Sequence, residues 1–215
     1  MLSPFVNLYI KIRAKKEHKR LPSEYRQILS RVIGKYSDAG CRLVYAWFWD
    51  AGDAMPNASA TIPGIILINS VWAYLLITGY DNEVVMDAFD MTICHELTHL
   101  DNDYLYIEPF TKESRFVYWV NEVHADFGGI VKAFDGDGVR GIKSLQYKYE
   151  LIGNRDKDSR MHPSWQKRIE YVRSGIFDSH LIRKIADAVG CKDQDLIDKV
   201  CGHYASIEFI NAGLQ

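Results

Sequence analysis

The stretch Val84–Leu100 restricts this chain most, because it holds two histidines four residues apart and neither glycine nor proline. Asn82 or Asp81 can cap its start, so the sequence predicts a helix here. Positions four apart lie on one face of a helix, and His95 and His99 can therefore reach the same metal ion. Two imidazoles are a common part of a catalytic zinc site, with Zn–N distances of about 2.1 Å.

Glu96 follows the first histidine, where its carboxylate can take a proton from a metal-bound water. Zinc lowers the pKa of such a water from about 15.7 to about 7, so a weak base is sufficient at neutral pH. The same His-Glu-x-x-His spacing also arises by chance on ordinary helices. The rest of the chain must therefore decide between the two interpretations.

The third metal ligand must come from another part of the chain. A metzincin has a histidine ten residues after the first, but Leu105 stands there, which excludes that class. A second helix is predicted over Glu113–Phe134, with Glu122 and Asp126 on one face. We interpret Glu122 as the third ligand, and Asp126 as the partner of the outer nitrogen of a ligand histidine. The alternative is a solvated acidic face.

Length and composition limit the remaining interpretation. A chain of 215 residues with 47% hydrophobic content predicts one compact domain with a substantial core. The net charge of −2 and the pI near 6.4 provide no general attraction to nucleic acid. The four cysteines show no Cys-x-x-Cys spacing, which favours reduced thiols and a cytoplasmic protein.

The first twenty residues form a predicted basic arm. Residues 1–10 are mostly apolar, and residues 11–20 carry six Lys or Arg against one Glu. This order is the reverse of a secretory signal, and ten residues cannot span a bilayer, which takes about 20. We favour a docked terminal segment with a solvated basic edge over a peripheral contact with a membrane or a partner. The apolar residues 65–77 are also too few for a membrane span.

The remaining patterns predict a mostly helical α+β domain, in which a small sheet packs against the helix that carries the two histidines. In chain order the predicted elements are a helix over Leu21–Gly40, a strand over Arg42–Trp49, a loop over Asp50–Pro63, a strand over Gly64–Asn69, and helices over Ser70–Ile77, Gly141–Leu151, Ser164–Arg173, Leu181–Val189 and Gln194–Ile210. Residues 174–215 are interpreted as a helical extension of the domain. Asp135–Gly138 is predicted to be a plain turn rather than a calcium loop.

Four pieces of the chain match, in order, the motifs of a known family. Pro56-Asn57-Ala58 looks like an Asn-Ala-Phe loop, although Ser59 stands where Phe is usual, and Gly64–Ile68 looks like the strand that follows it. The two metal motifs match, and His162–Ile169 resembles a late His-Pro-x-x-x-x-Arg-Ile motif. Over roughly residues 23–172, the chain resembles the gluzincin metallopeptidases of the CAAX prenyl protease and HtpX type.

This resemblance implies a zincin-like domain and a zinc endopeptidase that acts on a polypeptide. Membrane members of the family carry long hydrophobic spans that this chain lacks. The resemblance therefore does not imply prenylated substrates or an integral-membrane setting for this chain. The resemblance also places Asn57 and Ala58 at the substrate-binding site. In that fold an edge strand receives the substrate backbone by β-addition, and Ala60–Ile68 is the candidate for this strand.

His162 and Arg168 take their expected roles from the same resemblance. His162 precedes Pro163, which fits the first turn of a helix, so a plain N-cap is the simplest interpretation. The resemblance adds two others: a hydrogen-bond donor to the oxyanion, or a residue that swings on the Gly153–Met161 loop and closes the metal site. Arg168 either supports the oxyanion or forms an ion pair with the helix of Glu122.

Two other classes of function compete with the endopeptidase. One is a zinc-holding regulatory or binding module that cleaves nothing, and the other is a metallohydrolase with a non-peptide substrate. Glu96 argues against the binding module, because a purely structural zinc needs no general base and has a closed shell of four ligands. The oligomeric state and the identity of the polypeptide are not encoded in any of these patterns.

Overall fold

A computed structural model describes residues 12, 22–36, 43–46, 56–61, 65–68, 70–79, 81–106, 108 and 110–206. Most of these residues are helical. The elements are, in chain order, α1 Ser23–Gly34, β1 Leu43–Ala46, β2 Ala58–Thr61, β3 Ile65–Ile68, α2 Ser70–Thr78, α3 Glu83–Asn102, α4 Lys112–Phe134, α5 Gly138–Ile152, a 3-10 turn Gly153–Arg155, α6 Trp165–Arg173, α7 Ser179–Val189 and α8 Gln194–Ala205. The basic arm lies outside the described residues, apart from the single residue 12.

The three strands form one small sheet in the order β1-β3-β2. Strand β1 pairs with β3 in parallel, and β2 pairs with β3 in antiparallel register, with Ala60 opposite Ile66. A loop is predicted over residues 50–63, but residues 58–61 of this segment form strand β2. The expected edge strand over residues 60–68 is also wrong, because it joins parts of two strands: β3 is central, and β1 and β2 are the two edges of the described sheet.

Helix α3 carries both histidines and is buried along most of its length. It begins after Asn82, whose side chain accepts a hydrogen bond from the Val84 backbone N–H, as predicted. Helix α4 begins with a capping box between Thr111 and Ser114 and runs to Phe134, one residue longer at its start than predicted. The two long helices of the predicted metal site are therefore present.

The residues between α4 and α5 form a helix connection. Asp135 ends α4 in the left-handed conformation (φ 52°), and the Asp137 carboxylate accepts the N–H groups of Val139 and Arg140 at the start of α5. The interpretation of this segment as a plain turn is confirmed. Helix α5 begins at Gly138, three residues before its predicted start.

Three further predicted helices have wrong boundaries, and one of them, α7, begins at Ser179, two residues before its predicted start. Helix α1 ends at Gly34 rather than at residue 40, because glycine is a poor helix former and the next two residues, Lys35 and Tyr36, both contact Asp90 of α3. Helix α6 begins at Trp165, and its N-cap is Ser164, whose hydroxyl accepts the Lys167 N–H. The N-cap role expected of His162 is therefore wrong.

Two apolar clusters form the core and meet where α3 packs against α4. One cluster joins α1, the sheet, α2 and α3 around Trp72 and Phe89. The other joins α4 to the C-terminal helices α7 and α8 around Trp119, so the helical extension is part of the core. Cys94, Cys191 and Cys201 are free thiols. Among the described residues, no helix combines the length and the apolar character needed to cross a membrane.

Two glycines of α4 allow this close approach to α3. A Cβ atom at Gly128 would lie 2.5 Å from the Thr98 Cγ2 atom, and one at Gly129 would lie 3.2 Å from the His95 backbone nitrogen. A side chain at Gly128 would therefore push α4 away from α3. The separation between the helices that carry Glu122 and the two histidines depends on this contact.

We predict that Gly128→Val lowers the free energy of unfolding by roughly 1–3 kcal/mol, because the added methyl groups overlap Thr98. Urea denaturation of the metal-free protein measures this change. Gly202→Val on α8 is the matched control, since a Cβ there meets nothing within 4 Å; its effect should stay within about 0.5 kcal/mol. Equal stability of both variants would contradict the proposed helix contact.

Candidate metal centre

Three side-chain atoms from α3 and α4 converge on one point. The Nε2 atoms of His95 and His99 are 3.0 Å apart, and the Glu122 carboxylate lies 3.5 Å from the first and 3.4 Å from the second. Ligand atoms bound to one tetrahedral zinc ion stand about 3.3 Å from one another. The three predicted ligands therefore fit a single ion, and they form a metal-competent group among the described residues.

Each histidine is oriented by a carboxylate at its outer nitrogen. Asp126 Oδ1 lies 3.1 Å from His95 Nδ1, and Asp103 Oδ1 lies 2.8 Å from His99 Nδ1. The contact of each Nδ1 atom with a carboxylate orients the ring so that its Nε2 atom is directed at the point of convergence. The role of Asp126 is predicted from the sequence, whereas that of Asp103 is not, although Asp103 lies four residues after His99.

Arg168 connects α6 to the metal-ligand helix α4. Its guanidinium donates two hydrogen bonds to Asp126, at 2.8 and 2.5 Å, and its Nη1 lies 3.2 Å from Glu122. Both Arg168 and Asp126 are buried. Of the two roles expected for Arg168, the structure contains the contacts of the ion pair, and Asp126 does not lie on a solvated face.

The charges in this cluster stabilise the ionised form of both carboxyl groups. Burial opposes ionisation, but hydrogen bonds from His95 and His99 and the charge of Arg168 hold the pKa of Glu122 well below its usual range. Arg168 likewise lowers the pKa of Asp126 against the effect of burial. A ligand carboxylate and its supporting carboxylate are therefore both charged at neutral pH.

Whereas the pKa values of the two carboxyl groups are lowered, the pKa of the His99 imidazole is raised. Burial opposes its charge, but the hydrogen bonds with Asp103 and Glu122 outweigh burial and raise its pKa well above the usual value. A metal ion that binds His99 must therefore displace a proton from the imidazole.

Glu96 lies beside the three ligand atoms and faces the edge of the sheet. Its Oε2 atom accepts a hydrogen bond of 2.7 Å from the Ala60 backbone N–H on β2. This contact ties the side chain predicted to be the general base to the strand that forms the edge of the sheet. Asn57 and Ala58, at the start of the same strand, line a cleft together with His95 and Glu96.

His162 lies next to the metal ligands although it does not cap α6. Its Nε2 atom is 3.4 Å from Glu122 Oε1, and its side chain is exposed. The preceding loop is held in place: the His162 N–H donates to the Ser159 hydroxyl, and Trp119 Nε1 donates to the Ser159 carbonyl. Asp156 accepts the Trp165 N–H at the start of α6. The residue is thus presented to the cleft by a hydrogen-bonded loop.

Lys148 of α5 lines the same cleft, which measures about 300 Å³, and the sequence analysis did not identify it. Its ammonium lies 4.6 Å from the centre of the Trp165 ring, a cation–π distance. Burial, and after it the nearby charge of Arg168, lowers the pKa of Lys148 to about 8. The sequence shows only a lysine on an amphipathic helix, with no spacing that links it to the metal motifs.

Comparisons of the chain with protein-family models, with curated proteins and with solved structures found no match. The resemblance to gluzincin peptidases and the location in the cytoplasm therefore stay predictions.

We predict that Asp103→Ala weakens zinc affinity by about 10- to 100-fold, the usual size of a loss at a residue that orients a ligand histidine. Competition with a chromogenic chelator measures it. Asp101→Ala is the matched control on the same helix, because Asp101 is exposed and pairs with Lys132 instead of a ligand. If both variants bound zinc as tightly as the unaltered protein, Asp103 would have no part in the centre.

Proposed function

We propose that this protein is a zinc-dependent endopeptidase with a zincin-like site. The observation that supports this most strongly is the convergence of His95, His99 and Glu122 beside a carboxylate, Glu96, that is bound to the edge of the sheet. Two nitrogen atoms and one carboxylate oxygen form the ligand set of many catalytic zinc sites, and three protein ligands leave a position for water or substrate. A structural zinc site uses four protein ligands instead.

Zinc bound here supplies a Lewis acid that polarises a carbonyl group and lowers the pKa of water to about 7. Glu96 then acts as the base that takes a proton from the attacking water. One carboxylate oxygen is held by the Ala60 N–H, and the other is directed to the cleft and accepts the proton. Glu96 subsequently passes this proton to the amine that leaves when the peptide bond breaks.

The presence of the edge strand β2 favours a polypeptide substrate over a small-molecule substrate. An extended peptide can add to the outer side of β2, because among the described residues β2 pairs with a strand, β3, on its other side only. The Ala60 N–H on that outer side already reaches Glu96, so a peptide laid along β2 passes beside the base. Main-chain pairing of this kind provides affinity with little dependence on sequence.

His162 is assigned the role of a hydrogen-bond donor to the oxyanion that forms during hydrolysis. Its Nε2 atom lies at the border of the ligand group, 3.4 Å from Glu122, and its loop is tied down by Ser159 and Trp119. A held loop favours this role over the alternative in which His162 swings onto the metal. The alternative adds a third imidazole to the zinc and closes the site.

The endopeptidase proposal predicts that Glu96→Gln keeps one zinc per chain and loses peptide hydrolysis, because an amide cannot accept the proton. Metal analysis of purified protein measures zinc, and a broad library of internally quenched peptides measures cleavage. Glu83→Gln, an exposed change at the start of the same helix, should keep both properties.

A Glu96→Gln protein that still cleaves peptides would contradict the mechanism. Failure of the unaltered zinc-loaded protein to cleave any peptide would instead favour the zinc-holding binding module. A non-peptide metallohydrolase has no separate observation in its favour.

A further inference from the structure

Two clefts with different linings meet at Glu96 and Glu122. The lining of the first includes four cations, Lys148, Arg155, Lys157 and Arg168, beside the carboxylates of Glu96, Glu122 and Asp156. The second, of about 380 Å³, is lined by Tyr104, Leu105, Tyr106, Tyr118 and Met161. A peptide that crosses the metal centre along β2 therefore places its two halves in chemically different surroundings, one cationic and one aromatic.

Lys148 is a half-buried cation of the first cleft, whereas the more deeply buried Arg168 of the same cleft is already paired with Asp126. Its ammonium is 4.6 Å from the Trp165 ring centre and 5.9 Å from the Trp72 ring centre, so aromatic rings cover its sides. Among the residues that the structure describes, no carboxylate oxygen lies within ion-pair distance of Lys148. A half-buried ammonium without a carboxylate partner loses hydration with no ion pair to compensate for it, and such groups cluster at binding sites.

The carboxylates around Lys148 already have other partners. Asp126 accepts both hydrogen bonds of the Arg168 fork, and Glu122 faces the two candidate ligand histidines. Glu96 accepts the Ala60 N–H. Asp156 accepts the backbone N–H groups of Trp165 and Gln166 at the start of α6. The Lys148 charge is thus available to an anionic group that enters the cleft from outside.

We propose that Lys148 binds the carboxylate of an Asp or Glu side chain of the substrate, next to the peptide bond that is cut. This inference rests on the endopeptidase function proposed above and adds a substrate class to it. The cleft suits a single side chain because His95, Glu96 and Glu122 line it together with Trp165 and Lys148, within a volume of about 300 Å³. The aromatic rings exclude water and strengthen the ion pair.

The experiment uses two sets of amidated, internally quenched decapeptides on an alanine and leucine background. One set carries a single Glu at each position in turn, and the other carries Gln at the same positions. Hydrogen bonds to a charged group favour a ligand by roughly 10- to 100-fold. At one position beside the cut, we expect the zinc-loaded protein to cleave the Glu peptide with a kcat/KM roughly 10- to 100-fold higher than that of the Gln peptide. In the Lys148→Met variant, this ratio should fall to about one.

Two further variants make the result specific to this lysine. Lys143→Met lies on the exposed side of the same helix, α5, and should retain the full Glu preference. Lys148→Glu should reverse the preference, so that a peptide with Lys at that position is cleaved faster than the Glu peptide. Reversal requires a folded protein, which excludes loss of the fold as the cause of a changed ratio.

A binding measurement separates this inference from the endopeptidase proposal. Fluorescence anisotropy with fluorescein-labelled Glu and Gln peptides is recorded on zinc-loaded Glu96→Gln, with and without Lys148→Met. We expect tighter binding of the Glu peptide, and loss of the difference in the double variant. If no peptide is cleaved, the proposed function fails, and the anisotropy ratio still decides whether Lys148 selects a carboxylate.

Equal cleavage and equal binding of Glu and Gln peptides by the protein with Lys148 would overturn the inference. A Lys148→Met variant that lowers kcat/KM for both peptides by the same factor would also overturn it. That result would mean that the lysine acts on the reaction itself or on the packing of Trp165.

Discussion

The ion pair between Arg168 and Asp126 is the interaction on which the geometry of the candidate metal centre depends. It joins α6 to α4, and through Asp126 it reaches the outer nitrogen of His95. Replacing such a buried pair by apolar side chains is often neutral for stability, whereas removing one partner alone is costly. Its importance here lies in position: the same guanidinium contacts Glu122, so one side chain orients two of the three ligands.

The residues of the candidate site come from elements of both apolar clusters, which form the two halves of the core. The α3 half provides both histidines, Glu96 and the edge strand, and the α4 half provides Glu122 and the supporting charges. Gly128 and Gly129 allow the two halves to approach at the level of His95. The centre therefore forms only when both halves are folded and packed, which makes metal binding sensitive to changes far from the ligands.

The sequence predicted those parts of the site that follow helical spacing. His95 and His99 lie on one helix, and helical periodicity was enough to group them. Glu122 lies on a second helix, and it was assigned because a metal site of this kind needs a third ligand. Asp103 obeys the same spacing and could have been found. Strand β2 could not, because Ala-Ser-Ala-Thr has little strand preference and its pairing comes from β3 and from Glu96, which are distant in sequence. Lys148 reaches the cleft only through packing of α5.

X-ray absorption spectroscopy of the zinc-loaded protein tests the central claim most directly, because it reports the atoms bound to the metal. The account predicts one zinc per chain with two imidazole nitrogens and oxygen ligands at about 2.0–2.1 Å. Three imidazoles would place His162 on the metal and contradict the open site. A sulfur ligand at about 2.3 Å, or zinc that does not bind in a one-to-one ratio, would contradict the assignment of His95, His99 and Glu122.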